Sequence, residues 1–262
     1  MFSNSRLTGG FMIVWLSSYP RSGNTLTRTI LNKVFMIETY SEYNDKYDLG
    51  VRKDVSLSVG HKGYEDSWYD FYSRAYEETA MNIVKTHGPP QDDSPAIYVV
   101  RDPRSAIISQ FHYFKSHPLT PADFNMQQLI DGMSFGGSWS RNLDAWNPLD
   151  RPHTLFLRYE EILNKPEHVI SLMSDFLGKP AVAAWHNPFE SQHELLPTFF
   201  RSASDQANLA EWTAEDLHAL WNRHGGWMQK LGYVNDFALT ETAFGEERPL
   251  SSPPSRITSH WR

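Results

Sequence analysis

Residues 12–35, MIVWLSSYPRSGNTLTRTILNKVF, limit what this chain can fold into more than any other stretch. The apolar run 12–16 is long enough for a buried strand. It passes into a turn-rich loop, Ser17-Ser18-Tyr19-Pro20-Arg21-Ser22-Gly23-Asn24-Thr25. Leu26, Ile30, Leu31, Val34 and Phe35 then follow at helical spacing. A strand, a small-residue loop and a helix in this order aim backbone N–H groups and a helix dipole at an anion. The stretch therefore predicts a phosphate or sulfate site in the loop.

At 262 residues the chain is long enough for one sizeable core. Residues 1–10 are polar and end in Gly-Gly, and read as a flexible arm. Residues 11–244 read as a single α/β domain, and the Pro/Ser-rich 245–262 as a mobile tail. The net charge of -7 argues against broad binding to nucleic acid. With no cysteine, disulfides, thiolate nucleophiles and cysteine zinc sites are excluded. The apolar run at 11–16 is too short for a signal-peptide core or a membrane span, so a cytoplasmic protein is expected.

Residues 38–76 carry nine aromatic residues among many charges without a sustained period, predicting loops and a short helix. Their aromatics pack on the domain or line an acceptor pocket. NIVKT at 82–86 and AIYVV at 96–100 read as buried strands. Asp102 and Pro103 suit the cap and first residue of a helix. Two mainly polar helices are expected around 121–131 and 138–146, a strand over 154–159, and helices over 166–177 and from Thr213. Alternating strands and helices predict a mostly parallel central sheet flanked by helices. Ligands of such sheets bind beyond the carboxyl ends of the strands. Three features fall there: the loop after Leu16, Lys85-Thr86-His87, and Arg101-Asp102-Pro103-Arg104.

The loop lacks GxxxxGK[ST], and no carboxylate is placed to hold magnesium, so a nucleoside triphosphate site is disfavoured. Lys85 and His87 lie two apart on extended chain and point to one side. The lysine disfavours imidazolium and keeps the histidine neutral and basic. Taken alone, the pair is equally compatible with a solvated lysine and a turn-filling histidine. Arg101 and Ser109, eight residues apart across a helix N-terminus, could share a phosphate, or Ser109 could merely pack. His61 reads as part of a polar loop. His112 and His117 lack ligand spacing, and no metal is assigned.

With these residues in place, the chain resembles the family of sulfotransferases that use 3′-phosphoadenosine 5′-phosphosulfate (PAPS). The family motif YPKSGTTW is matched by residues 19–26, YPRSGNTL. Its Lys-Thr-His segment is matched by Lys85-Thr86-His87, and its arginine followed eight residues later by serine by Arg101 and Ser109. Tyr159-Glu160-Glu161 and Phe199-Phe200-Arg201 resemble two later segments. Order and spacing agree from about residue 12 to 233.

The resemblance implies roles. Arg21, Ser22, Gly23, Asn24 and Thr25 would bind the phosphosulfate end of PAPS, with Arg21 and Lys85 neutralising charge on the leaving phosphate, and Leu26 would stand at the adenine end. Arg101, Ser109 and Arg201 would hold the 3′-phosphate, and Tyr159 would shape the nucleotide site. His87 would be general base toward a hydroxyl of a small-molecule or natural-product acceptor, with no metal. Arg21 stands where the family more often has lysine, and trades a point cation for a bidentate fork. Leu26 replaces the tryptophan that stacks on adenine, so that contact must come from elsewhere or be weaker. The wording Gly-Asn-Thr and Arg28 look closer to bacterial enzymes that modify natural products. Two other readings stay open: a protein that binds PAPS or its product 3′-phosphoadenosine 5′-phosphate (PAP) without transfer, and a nucleotide kinase.

Overall fold

The computed structural model describes residues 13–45, 52–78, 80–197, 200 and 209–233. The expected arm at 1–10, the tail at 245–262 and Arg201 lie outside the described residues. In chain order the elements are β1 Ile13–Ser18, α1 Asn24–Phe35, β2 Thr39–Ser41, α2 Lys53–Val59 and α3 Trp68–Glu77. Next come β3 Asn82–Thr86, β4 Ala96–Val100, α4 Pro103–Lys115, α5 Met126–Asp131 and α6 Trp139–Trp146. The remainder are β5 Thr154–Arg158, α7 Tyr159–Asn164, α8 Pro166–Leu177, α9 Phe189–Leu195 and α10 Ala214–Lys230.

The five strands form one sheet in the order β2-β3-β1-β4-β5, and every neighbouring pair is parallel. Both faces are covered, which is why β1, β3 and β4 are buried along their whole length. Side chains alternate between the faces with period two. Ile13, Trp15, Val84, Tyr98 and Val100 meet α3, α4, α5, α6 and α10 on one side. Val14, Leu16, Ile83, Ile97, Val99, Leu155 and Leu157 meet α1, α7 and α8 on the other. Each large aliphatic or aromatic side chain so enclosed contributes ~1.5–3 kcal/mol.

β1 lies between β3 and β4, with the chain crossing over it from β3 to β4. The carboxyl ends of these three strands therefore open onto one crevice, at the point where the winding reverses direction. The three strand-end features expected from the sequence converge there. Asp102 caps α4, its carboxylate accepting from the Arg104 amide at 2.8 Å, with Pro103 in the first turn.

Three expectations are corrected. Residues 38–76 hold β2, α2 and α3. The first helix buries only Val55 and Val59 and the second only Phe71 and Ala75. Most of the aromatics in that segment pack as a group: Tyr64, Trp68, Phe71 and Tyr72 cluster with Tyr40 and Trp15. The helix α6 is not mainly polar, since Trp139, Leu143 and Trp146 are enclosed. The last strand stops at Arg158, and Tyr159 opens α7 instead of closing β5. The sequence reading placed no helix at 189–195, where α9 closes over α2. No described helix is long and apolar enough to cross a membrane.

Candidate active site

The loop after β1 is held by its own backbone. Arg21 and Gly23 take left-handed φ values of 62° and 102°, and the turn delivers the chain into α1. A Cβ on Gly23 would stand 2.5 Å from Tyr159 Cδ2, so glycine is required there for conformation and for space. No side chain caps α1, and its first turn carries no acidic residue. The first amides and the positive end of the dipole are thus left for an anion. Asn24 Nδ2 donates to Leu16 O at 3.0 Å and ties the start of α1 to the end of β1. Beneath the loop, Ser22 Oγ and Asn24 Oδ1 are buried and meet no partner among the described residues.

A cleft lies over this loop. Arg21, Gly23, Asn24, Thr25, Leu26, Lys85, His87, Arg101, Ser109 and Tyr159 all line it. Of the residues expected from sequence, Ser22 lies under the floor and Arg201 is outside the described residues. The others come together. Arg21 Nε donates to Ser109 Oγ at 3.2 Å, and Arg101 Nη1 donates to Arg21 O at 3.1 Å. The Arg101 guanidinium lies 4.1 Å from the centroid of the Tyr159 ring, a cation–π contact. Arg21, Ser109, Arg101 and Tyr159 thus form one linked wall.

Lys85 and His87 do point to one side of β3, but Lys85 is not a solvated lysine. Its Nζ meets Asp45 Oδ1 at 2.7 Å. The other oxygen of Asp45 meets Arg28 Nη1 at 2.7 Å, and both Arg28 and Asp45 are enclosed. Arg28 Nε donates to Thr39 Oγ1 at 2.7 Å and Nη2 to His61 Nδ1 at 2.8 Å. His61 is therefore buried against a guanidinium instead of sitting in a polar loop. It accepts at Nδ1, because arginine has only donors. Burial, then the Arg28 charge, push its pKa down. Burial alone would raise the Asp45 carboxyl, but Lys85 and Arg28 overcome it and hold the group well below the usual carboxylate range. Two cations share one carboxylate, so the cluster carries excess positive charge, and Lys85 is the member that faces the cleft.

The histidine is set by backbone. His87 Nδ1 lies 2.8 Å from Ser18 O. A carbonyl only accepts, so Nδ1 carries the proton and Nε2 holds the free lone pair. Burial, then the Lys85 charge, lower the pKa from 6.5 to about 3. The ring is neutral at ordinary pH. Tyr43 stacks against it at 6.3 Å and Phe135 meets it edge-on at 6.0 Å. The Tyr43 hydroxyl accepts from the His87 amide at 3.0 Å. Behind it, Asn142 Nδ2 donates to His87 O at 3.0 Å, and Thr86 bonds the Glu42 carboxylate.

A second cavity, of 550 Å³, also borders the histidine. Tyr43, His87, Gly88, Pro89, Phe135, Gly136, Gly137, Arg141, Asn142 and Ala145 line it. His87 and Phe135 border both spaces. Among the described residues, no cluster of three or more His, Asp or Glu could hold a metal ion.

Sequence reasoning missed Asp45 and Phe189; Tyr43 belongs to the aromatic segment 38–76, for which the sequence offers a pocket lining as one reading, and it does line the second cavity. Phe189 and Gln192 of α9 line the first cleft together with Leu26. An arginine within the apolar spacing of α1 was one available signal, since a buried guanidinium needs an acid.

Comparison with known proteins bears on the fold and the family. Sulfotransferase 1A1 of Mus musculus is 26% identical over 180 residues, covering 63% of this chain and 60% of that protein. Sulfotransferase 1C2 of Homo sapiens is 25% identical over 182 residues, covering 63% and 58%. The chain spans about three-fifths of the length of these relatives. Among solved structures, retinol dehydratase in complex with androsterone and inactive cofactor PAP superposes with a TM-score of 0.60 at 19% identity, over 83% of this chain and 81% of that one. Mouse sulfotransferase SULT7A1 complexed with PAP gives 0.59 at 17%, over 92% and 91%. At that identity the likeness speaks to the fold. Residues 13–203, most of the chain, match the model of the sulfotransferase domain, and the chain belongs to that family.

Proposed function

We propose that this protein transfers a sulfuryl group from PAPS to a hydroxyl of a small-molecule or natural-product acceptor, with His87 as general base. The observation that carries the reading is the position of His87 on the border of two cavities, with Nδ1 spent on Ser18 O and Nε2 left basic. The first cleft fits an anionic nucleotide. It offers Arg21, Lys85 and Arg101, an uncapped helix N-terminus, and the buried, unpartnered Ser22 Oγ.

Bound there, PAPS supplies an activated sulfuryl group on a phosphate leaving group. Arg21, Lys85 and the loop amides would hold its phosphosulfate end. Arg101 and Ser109, with Arg201, would hold the 3′-phosphate, and Tyr159 would back the guanidinium. Leu26 on one side and Phe189 on the other would take the adenine in place of the missing tryptophan. Toward the acceptor, His87 Nε2 removes the hydroxyl proton, which typically contributes 10²–10⁴-fold. Arg21, Lys85 and the amides meet the charge that develops on the departing phosphate, where one preorganised donor is worth ~3–4 kcal/mol.

The test is His87→Ala with PAPS and a panel of phenols, alongside PAP binding by calorimetry. We expect transfer to be lost and PAP affinity to stay within about threefold. Transfer at the wild-type rate removes His87 from the mechanism. PAP binding by the wild type with no transfer to any hydroxyl acceptor leaves a nucleotide-binding protein.

A further inference from the structure

The second cavity has an asymmetric chemistry. Two of its walls are apolar or bare. Tyr43 and Phe135 meet edge to face with centroids 5.0 Å apart, and Gly88, Gly136 and Gly137 present backbone without side chains. Gly136 and Gly137 hold φ values of 91° and 66°. A Cβ on the former would strike Pro20 Cγ at 2.5 Å, so that wall stays bare. Such a slot takes a flat ring.

The polar groups of the slot are mostly occupied. Asn142 accepts from the Tyr98 hydroxyl at 2.7 Å and donates to His87 O, using both ends of its amide. The Tyr43 hydroxyl already accepts from the His87 amide. Two groups that line the slot remain for a ligand, His87 and Arg141. Arg141 is exposed, stands one residue before Asn142 on α6, and makes no side-chain hydrogen bond or ion pair among the described residues. Among the described residues it is the one charged side chain bordering this cavity, in a chain whose net charge is -7. No acid that lines the slot neutralises it. Asp144, on the same helix, is turned to Trp227 Nε1 at 2.7 Å.

We infer that Arg141 is a specificity residue, and that the acceptor is a hydroxyl-bearing aromatic compound carrying a negatively charged group such as a carboxylate. The hydroxyl sits at His87, the ring lies between Tyr43, Phe135 and the glycine wall, and the anion reaches Arg141. A guanidinium pairs a carboxylate through two parallel N–H donors, which fixes the ring's direction as well as attracting it. This inference rests on the sulfotransferase reading for the placement of the hydroxyl.

Three phenols of one shape separate the possibilities: 4-hydroxyphenylacetate, its methyl ester, and tyramine. We expect kcat/KM with PAPS to favour the acid over the amine by at least tenfold, with the neutral ester between them. Arg141→Gln should bring the acid and ester to within about twofold, Arg141→Lys should keep the order, and Arg141→Glu should favour tyramine. Calorimetry of each phenol against the protein saturated with PAP reads the same order without turnover. Because Arg141 is exposed, these variants leave the packing intact. Equal binding of the three phenols by the wild type, or an order unchanged in Arg141→Glu, overturns the inference. Transfer failing with all three counts against the sulfotransferase reading for phenols, while calorimetry still decides the role of Arg141.

Discussion

Replacing Asp45 by asparagine removes one charge and almost no volume, and isolates the electrostatic role of the cluster beneath the cleft. In the native protein one carboxylate faces Lys85 and Arg28 at 2.7 Å each. In the variant two cations stay buried without a counter-charge. Breaking a buried pair in this way costs about 3–5 kcal/mol. In a chain of this size that lowers Tm by about 6–20 °C. The assay is thermal unfolding of both proteins at pH 7, repeated at lower pH. Folding depresses the Asp45 carboxyl from 3.8, so its contribution is complete above that value and declines as pH falls below it. The gap in stability between wild type and variant should therefore close by about 1.4 kcal/mol for each pH unit below 3.8. Removing the second cation, in Asp45→Asn/Lys85→Met, should recover part of the loss. A variant melting within about 2 °C of the wild type at pH 7, a deficit near 1 kcal/mol or less, would refute the argument that Asp45 compensates both cations.

Other outcomes follow from single contacts. The His87 imidazole should show no NMR titration between pH 8 and 5, since burial and Lys85 lower its pKa to about 3; a midpoint near 6.5 would mean that the ring is solvated. Gly23→Ala drives a methyl into Tyr159 at a left-handed φ and should cost ~2–4 kcal/mol, with loss of PAP-induced thermal stabilisation; a variant that PAP stabilises normally would show that the loop can shift. Phe189→Ala should weaken PAP binding about 2- to 12-fold, the ~0.5–1.5 kcal/mol of one ring contact; unchanged affinity would place the adenine elsewhere.

What could be read from the sequence was what a short span of chain encodes by itself. β1, the loop and α1 announce themselves because a fully buried parallel strand is a continuous apolar run and the helix after it is amphipathic. Asp102 and Pro103 likewise mark the start of α4. The order of these motifs along the chain indicated the crevice. The partners of the motifs were not legible. Nothing in the polar turn around Asp45 says that it reaches Lys85, forty residues on. Phe189 belongs to a seven-residue helix with one buried side chain, Gln192, too little for a period. Trp139 and Trp146 lie among polar residues, and their burial depends on β4 and α10. The strand formers before Tyr159 predict that it closes the strand. In the structure it begins α7, and its ring packs on Gly23 and Arg101 in the same wall of the cleft.

The pairing of β1 with β3 has a consequence for how this site can change. Ser17 stands opposite Thr86 in the ladder, and the next carbonyl along β1, that of Ser18, holds His87. The imidazole and the anion loop therefore hang from two rungs of one ladder, and their separation is a property of main-chain register. Loops and helices around the crevice can lengthen or be exchanged without altering it. Deleting one residue within β3 would instead swap the faces of the sheet, turning Lys85 and His87 together to the face on which Val84 now packs. The walls of the crevice are thus free to change in this architecture, while the distance between the imidazole and the loop is fixed for as long as the sheet is.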